Sequence, residues 1–185
     1  MTLFRPATFL MVQYAHYHRD RRNIATHLVG IPLIFLSIGV LLLEPTWVIE
    51  GHTVSLAWIA WALTSVWYLT RGDLLLGLAT TLVNAALIAL AHQVPDLSAA
   101  LGLPVWQCGV ALFVIGWLFQ FVGHYWEGRK PAFVDDLRGL LQGPLFVLCE
   151  LAFKLGQLKG LEREIEQACG PVRRDPHASP ATPAH

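Results

Sequence analysis

Two short clusters of polar residues stand out from an otherwise apolar chain: Tyr14-x-x-x-His18-x-x-x-x-Asn23-x-x-x-His27 and Gln120-x-x-x-His124-x-x-Glu127. In a continuous helix Gln120, His124 and Glu127 fall at i, i+4 and i+7 and stack on one face, with Trp117 on the same stripe. The first cluster cannot be one straight helix if its histidines act together. Nine positions turn His27 by about 900° from His18, so the two would face opposite ways. The polar run Arg19-Asp20-Arg21-Arg22 supplies a break, and Asn23 is a good N-cap for a new helix with His27 just past its first turn. Tyr14 and His18, four apart, share a face, whereas His16 lies roughly 200° from His18. Neutral imidazoles with one carboxylate and no nearby thiolate suit a mononuclear non-haem Fe(II) site that leaves positions for O₂ and substrate. Zinc with a hydrolytic water fits the same ligands. The candidate ligands and catalytic residues are His18, His27, His124 and Glu127, with Tyr14, His16, Asn23 and Gln120 as substrate-contacting or supporting residues.

Other chemistries lack their residues. The sequence has no H-E-x-x-H, no G-x-S-x-G, no Walker loop and no G-x-G-x-x-G. Eight histidines, without repeated His-x-x-x-His and His-x-x-His-His boxes, do not furnish the di-iron site of membrane desaturases. The cysteines Cys108, Cys149 and Cys169 are odd in number and lack metal-ligand spacing, and are expected as structural thiols. A net charge of zero gives no basic field for nucleic acid.

The elements that position these clusters are membrane helices. The chain of 185 residues is 55% hydrophobic and 14% charged, with a mean hydropathy of +0.50, which is too apolar for an ordinary soluble domain of this size. Four apolar stretches, 24–43, 53–70, 73–92 and 104–126, approach the roughly 20 helical residues that cross a hydrocarbon core of about 30 Å. Alternating strand patterns are absent, so the expected fold class is all-α: an integral membrane bundle of four transmembrane helices with N-terminal and C-terminal interfacial helices. All 13 Lys and Arg fall on one side of these spans. The segments 44–52 and 93–103 carry Glu44, Glu50 and Asp96 but no basic residue, so both termini are expected in the cytoplasm. This topology brings His18, His27, His124 and Glu127 to the same membrane face and leaves His52 and His92 on the other. The start, MTLFRPATFLMVQYA, lacks the features of a cleaved signal peptide.

Within the fourth span Gly109, Gly116 and Gly123 recur every seven residues and open a stripe for close helix approach, within one chain or between copies in a homo-oligomer. Pro32 lies inside the first span and favours a kink. Residues 134–158, interrupted by Gly143-Pro144, read as an amphipathic or re-entrant helix at the cytoplasmic surface. Residues 1–160 are expected to form a single membrane-embedded domain and 161–185 a polar, disordered tail.

The two clusters, extended to Gly30-x-Pro32 and to Gly123-His124-x-x-Glu127-x-x-x-Pro131-Ala132, resemble the family of small membrane proteins related to a yeast 2-hydroxy-palmitate dioxygenase, over roughly residues 3–158. The resemblance implies an oxidoreductase: an Fe(2+)-dependent dioxygenase that uses O₂ as co-substrate in the α-oxidation of 2-hydroxy long-chain fatty acids, shortening the chain by one carbon. It carries the family's functional histidines onto His18, His27 and His124; Glu127 as a ligand comes from helix geometry. A zinc-dependent membrane lipid hydrolase and a non-enzymatic membrane scaffold or carrier are the alternatives, separable by metal identity and by whether His124→Ala removes turnover. Compact size without a retention signal points to a bacterial inner membrane, where the partners are membrane lipid and the fatty acid.

Overall fold

Two of the long apolar helices begin at an aspartate, Asp20 and Asp73, whose carboxylate accepts from a backbone amide of the first turn. The computed structural model describes residues 5–131 and 139–173. Its elements are α1 (Ala7–Ala15), α2 (Arg21–Leu41), β1 (Thr46–Ile49), β2 (His52–Ser55), α3 (Leu56–Leu69), α4 (Leu74–Ala91), α5 (Val94–Leu101), α6 (Val105–Glu127), α7 (Gly139–Lys154) and α8 (Lys159–Cys169). The protein is therefore mostly helical, as its apolar segments require. The chain divides into two units, residues 1–28 with 119–185, and residues 29–118.

In the unit of residues 29–118, the later part of α2 packs against the earlier part of α6 through the glycine stripe. A Cβ on Gly116 would come within 3.0 Å of the Gly30 carbonyl oxygen and 3.1 Å of the Ile34 nitrogen, and one on Gly109 within 2.8 Å of Leu41. Val40, Ala91 and Val94 form a buried core, with Leu36, Val105 and Leu112 packed on it. Between α3 and α4 the chain turns at Gly72, whose φ of +94° favours glycine. Asp73 then caps α4, its carboxylate accepting from the Leu76 amide at 2.9 Å. Asp73→Ala removes that acceptor and is expected to cost about 1 kcal/mol in unfolding of the detergent-solubilised protein.

Among the described residues, three helices are long and apolar enough to cross a membrane: Arg21–Leu41, the α4–α5 run Leu74–Leu101, and Val105–Glu127. The stretch 53–70, expected as a span, yields a helix of only 14 residues. Residues 52–55 instead pair with 46–49 in an antiparallel hairpin, Trp47 opposite Val54. Thr46, Val48, Thr53 and Val54 are β-branched, a preference that the span pattern masked. α7 and α8 meet at a bend of 110° and count as a fourth span only if taken together. α2 runs on through Pro32.

In the other unit, α1 packs on α7 and α8. Leu10, Met11 and Tyr14 of α1, Leu145 and Phe146 of α7, and Leu161 and Ile165 of α8 are buried. The segment 161–169, expected within the disordered tail, is thus helical because Leu161 and Ile165, four apart, present an apolar edge. Asp135, Asp136, Arg138, His177 and His185 lie outside the described residues. No disulfide joins Cys108, Cys149 and Cys169.

Candidate metal centre

The break anticipated between the two histidine-bearing helices occupies residues 16–20, after α1 ends at Ala15 and before α2 begins at Arg21. Its cap is Asp20 rather than Asn23: the Asp20 carboxylate accepts from the Arg22 amide at 2.8 Å, and the Asp20 carbonyl accepts from Ile24 at 3.0 Å. Asp20 is the earlier of the two cap-type residues, so it starts the helix and leaves the Asn23 side chain free to point inward. Arg22 closes the turn with a bidentate pair to Asp20.

This loop brings His18 back over His27, and the end of α6 adds His124. The three side chains are 0%, 1% and 5% exposed. One nitrogen from each ring lies within 4.8 Å of the others. The ring centroids are 4.3 Å apart for His18 and His27, 4.9 Å for His18 and His124, and 5.0 Å for His27 and His124. Tyr14 stacks on His18 at 4.2 Å, and Phe146 closes on the same ring at 4.9 Å. Burial, with the imidazole of His27 next in effect, pushes His18 well below the ordinary histidine pKa, so it is held neutral. Burial raises the Tyr14 hydroxyl.

The hydrogen bonds of these rings test whether the cluster suits a metal ion. Nδ1 of His18 contacts the Tyr14 carbonyl oxygen at 2.7 Å, and Nδ1 of His27 contacts the Asn23 carbonyl oxygen at 2.9 Å. A carbonyl only accepts, so both Nδ1 atoms donate and both neutral rings have a bare Nε2. Those two lone pairs face each other at 2.9 Å. Without a cation between or beside them the arrangement is repulsive. Two nitrogens at about 2.1 Å from a metal and at right angles to one another are about 3 Å apart, which matches. His124 Nδ1 is buried without a hydrogen-bond partner among the described residues. Carbonyls that orient metal-binding imidazoles from behind are the usual outer-shell arrangement.

Glu127, expected as the fourth ligand, is placed otherwise. Its oxygens accept from the Arg19 amide at 3.1 and 3.0 Å, the Asp20 amide at 2.7 Å, Asn23 Nδ2 at 3.0 Å and Arg173 Nη2 at 2.8 Å. With these lone pairs committed it lies outside the three-histidine group. Three positions along a helix from His124 place Glu127 near the loop, but side-chain direction and the loop's free amides turn it there. His16, a supporting candidate, is exposed, and its carbonyl accepts from Arg129 Nη1 at 2.9 Å. Asn23 joins the site by donating to the Tyr17 carbonyl and to Glu127. Gln120 is buried on the His124 face, and its Nε2 has no partner among the described residues. Both His52 and His92 belong to the other unit; His92 Nε2 lies 3.2 Å from Ser55 Oγ.

Residues 4–155 match the family described as 2-hydroxy-palmitic acid dioxygenase Mpo1-like. The chain belongs to the Mpo1-like family. It is 35% identical over 159 residues to the 2-hydroxy-palmitic acid dioxygenase MPO1 of Saccharomyces cerevisiae, covering 83% of this chain and 83% of the yeast protein. No solved structure matches it. The family match contains all three clustered histidines and Glu127 but ends before Arg173. Neither Phe146 nor Arg173 was among the sequence candidates: one sits in an apolar run and the other in a segment read as tail.

Proposed function

We propose that this Mpo1-like chain is a 2-hydroxy fatty acid dioxygenase, and that His18, His27 and His124 hold Fe(2+) at its centre. The observation that carries the reading is the pair of bare imidazole nitrogens facing each other at 2.9 Å, with a third buried imidazole beside them. Bound iron would supply the redox chemistry by which O₂ oxidises a 2-hydroxy acid to the acid one carbon shorter.

The protein's own residues do the rest. The Tyr14 and Asn23 carbonyls keep the imidazole protons on Nδ1, so the Nε2 atoms stay available. Tyr14 and Phe146 exclude water from the His18 ring. The Gln120 amide, one turn before His124, is a donor suited to a substrate oxygen. At the same level of α6, Phe121, Val122 and Tyr125 are exposed apolar side chains. They offer an acyl chain a path along the helix, where each buried methylene contributes about 0.8 kcal/mol. The basic residues that flank the apolar helices on this side support a cytoplasmic location for this end of the protein and for both termini.

Purified protein reconstituted with Fe(2+) and given 2-hydroxypalmitate is expected to consume O₂ and release the acid one carbon shorter. Palmitate without the hydroxyl should not support uptake. Absence of uptake by protein shown to contain iron rejects the dioxygenase reading. Cleavage of an ester- or amide-linked lipid with zinc and without O₂ replaces it with hydrolysis.

A further inference from the structure

We infer that Arg173, reaching in from the segment after α8, is a positioning residue for the histidine cluster, acting through Glu127. The inference rests on the metal-centre reading above and adds to the site a residue beyond the family match, which ends at residue 155.

One carboxylate links all three histidine-bearing segments. Glu127 lies one turn beyond His124 on α6. Its oxygens accept from the amides of Arg19 and Asp20, the residues that follow His18. They also accept from the side chain of Asn23, whose backbone carbonyl orients His27. The Glu127 side chain is only 1% exposed. Amide donors spread over three residues stabilise such an anion, but its full charge also calls for a cation. Arg173 supplies it: Nη2 donates to Oε1 at 2.8 Å and to the Glu127 carbonyl oxygen at 3.3 Å.

The backbone around Arg173 grips the same loop. Its amide donates to the Arg19 carbonyl at 2.7 Å, and its carbonyl accepts from the Arg21 amide at 3.1 Å, so Asp20 and Arg173 pair as a short parallel bridge. Arg19 Nη1 donates to the Gly170 carbonyl at 3.2 Å, while Arg19 Nε donates to the His18 carbonyl at 2.9 Å. The loop behind His18 is thus held between Glu127 on one side and residues 170–173 on the other. α8 anchors this strap through buried Leu161 and Ile165 and through Cys169 Sγ, 3.5 Å from the Val12 carbonyl. Arg173 touches none of the three imidazoles. It fixes His18 by neutralising and orienting the carboxylate that holds the His18 loop.

The test uses full-length protein in detergent, titrated anaerobically with Fe(2+) and, for its visible bands, with Co(2+). Arg173→Ala is expected to weaken metal binding about 10–100-fold, as loss of outer-shell partners does, and to alter the Co(2+) spectrum. Arg173→Lys, which keeps the charge, should recover part of the affinity. In a Glu127→Gln background, Arg173→Ala should add little, because the two residues act through one contact. Wild-type affinity and spectrum in Arg173→Ala, or fully additive effects of the two substitutions, would overturn the inference. If Arg173→Ala does not fold, Arg173→Lys and Glu127→Gln decide: both with wild-type affinity and spectrum overturn it. Failure of the wild-type protein to bind either metal removes the metal-centre reading itself, and that outcome is distinct from a wild-type centre indifferent to Arg173.

Discussion

Protein carrying His124→Ala is expected to lose metal affinity by more than the 10–100-fold typical of outer-shell changes, and its O₂ uptake with 2-hydroxypalmitate should fall to background. His124 is the best of the three histidines for separating ligation from folding. His18 and His27 each engage a backbone carbonyl, so truncating either leaves a buried acceptor unpaired. The backbone group that the His124 ring engages is that of exposed Arg129, which water can satisfy once the ring is removed. The stability cost should therefore stay within the ordinary range of about 0.5–3 kcal/mol for single substitutions. Metal content by elemental analysis, oxygen consumption and a melting curve on one preparation check all three parts. Full metal retention would mean that the clustered imidazoles are not the ligands.

Gly123→Ala is the substitution with the second largest expected effect, because it strikes the surface on which the site is assembled. A Cβ at Gly123 would overlap Thr26 Oγ1 and Asn23 Oδ1 and would lie 3.2 Å from the Asn23 Cα. Neither side chain yields easily. Thr26 Oγ1 donates to the Asn23 carbonyl at 2.7 Å, and Asn23 Nδ2 is tied to Tyr17 and Glu127. The two helices must separate, at a typical overpacking cost of about 1–3 kcal/mol. That movement carries His124 away from His27, so metal affinity should fall together with the melting temperature. Gly160→Ala is the control: a Cβ there meets nothing within 4 Å, and the exchange in helix α8 should be neutral or slightly stabilising. A Gly123→Ala protein with wild-type stability and metal affinity would show that α2 and α6 do not meet as described.

Much of this arrangement was legible in the residues themselves. The nine-residue spacing of His18 and His27 demanded a break, and the structure has one at 16–20. The seven-residue glycine repeat allowed a close neighbour, within the chain or from another copy, and that neighbour is α2 at all three positions. What escaped has physical reasons. Asp20 and Asn23 are both good caps, and only the folded loop shows which takes the amides. Glu127 has the chemistry of a ligand and the spacing to reach the cluster, yet nearby backbone donors claim it, and such donors leave no trace in a side-chain pattern. The hairpin at 46–55 was hidden because Trp, Val and Ile suit both a strand and a membrane span. Arg173 lies in a stretch whose composition is that of a tail; its role depends on a partner 46 residues earlier.

The brevity of α3 bears on the lipid around the protein. Fourteen residues rising about 1.5 Å each cover about 21 Å, short of a hydrocarbon core of about 30 Å. At one end, the guanidinium of buried Arg71 folds back to Thr70 and to the Trp67 carbonyl. A bilayer that meets both ends of such a helix has to pinch inward there, at a cost that grows with its native thickness. The three longer helices, of 21, 28 and 23 residues, carry no such mismatch, so the thinning would be confined to α3.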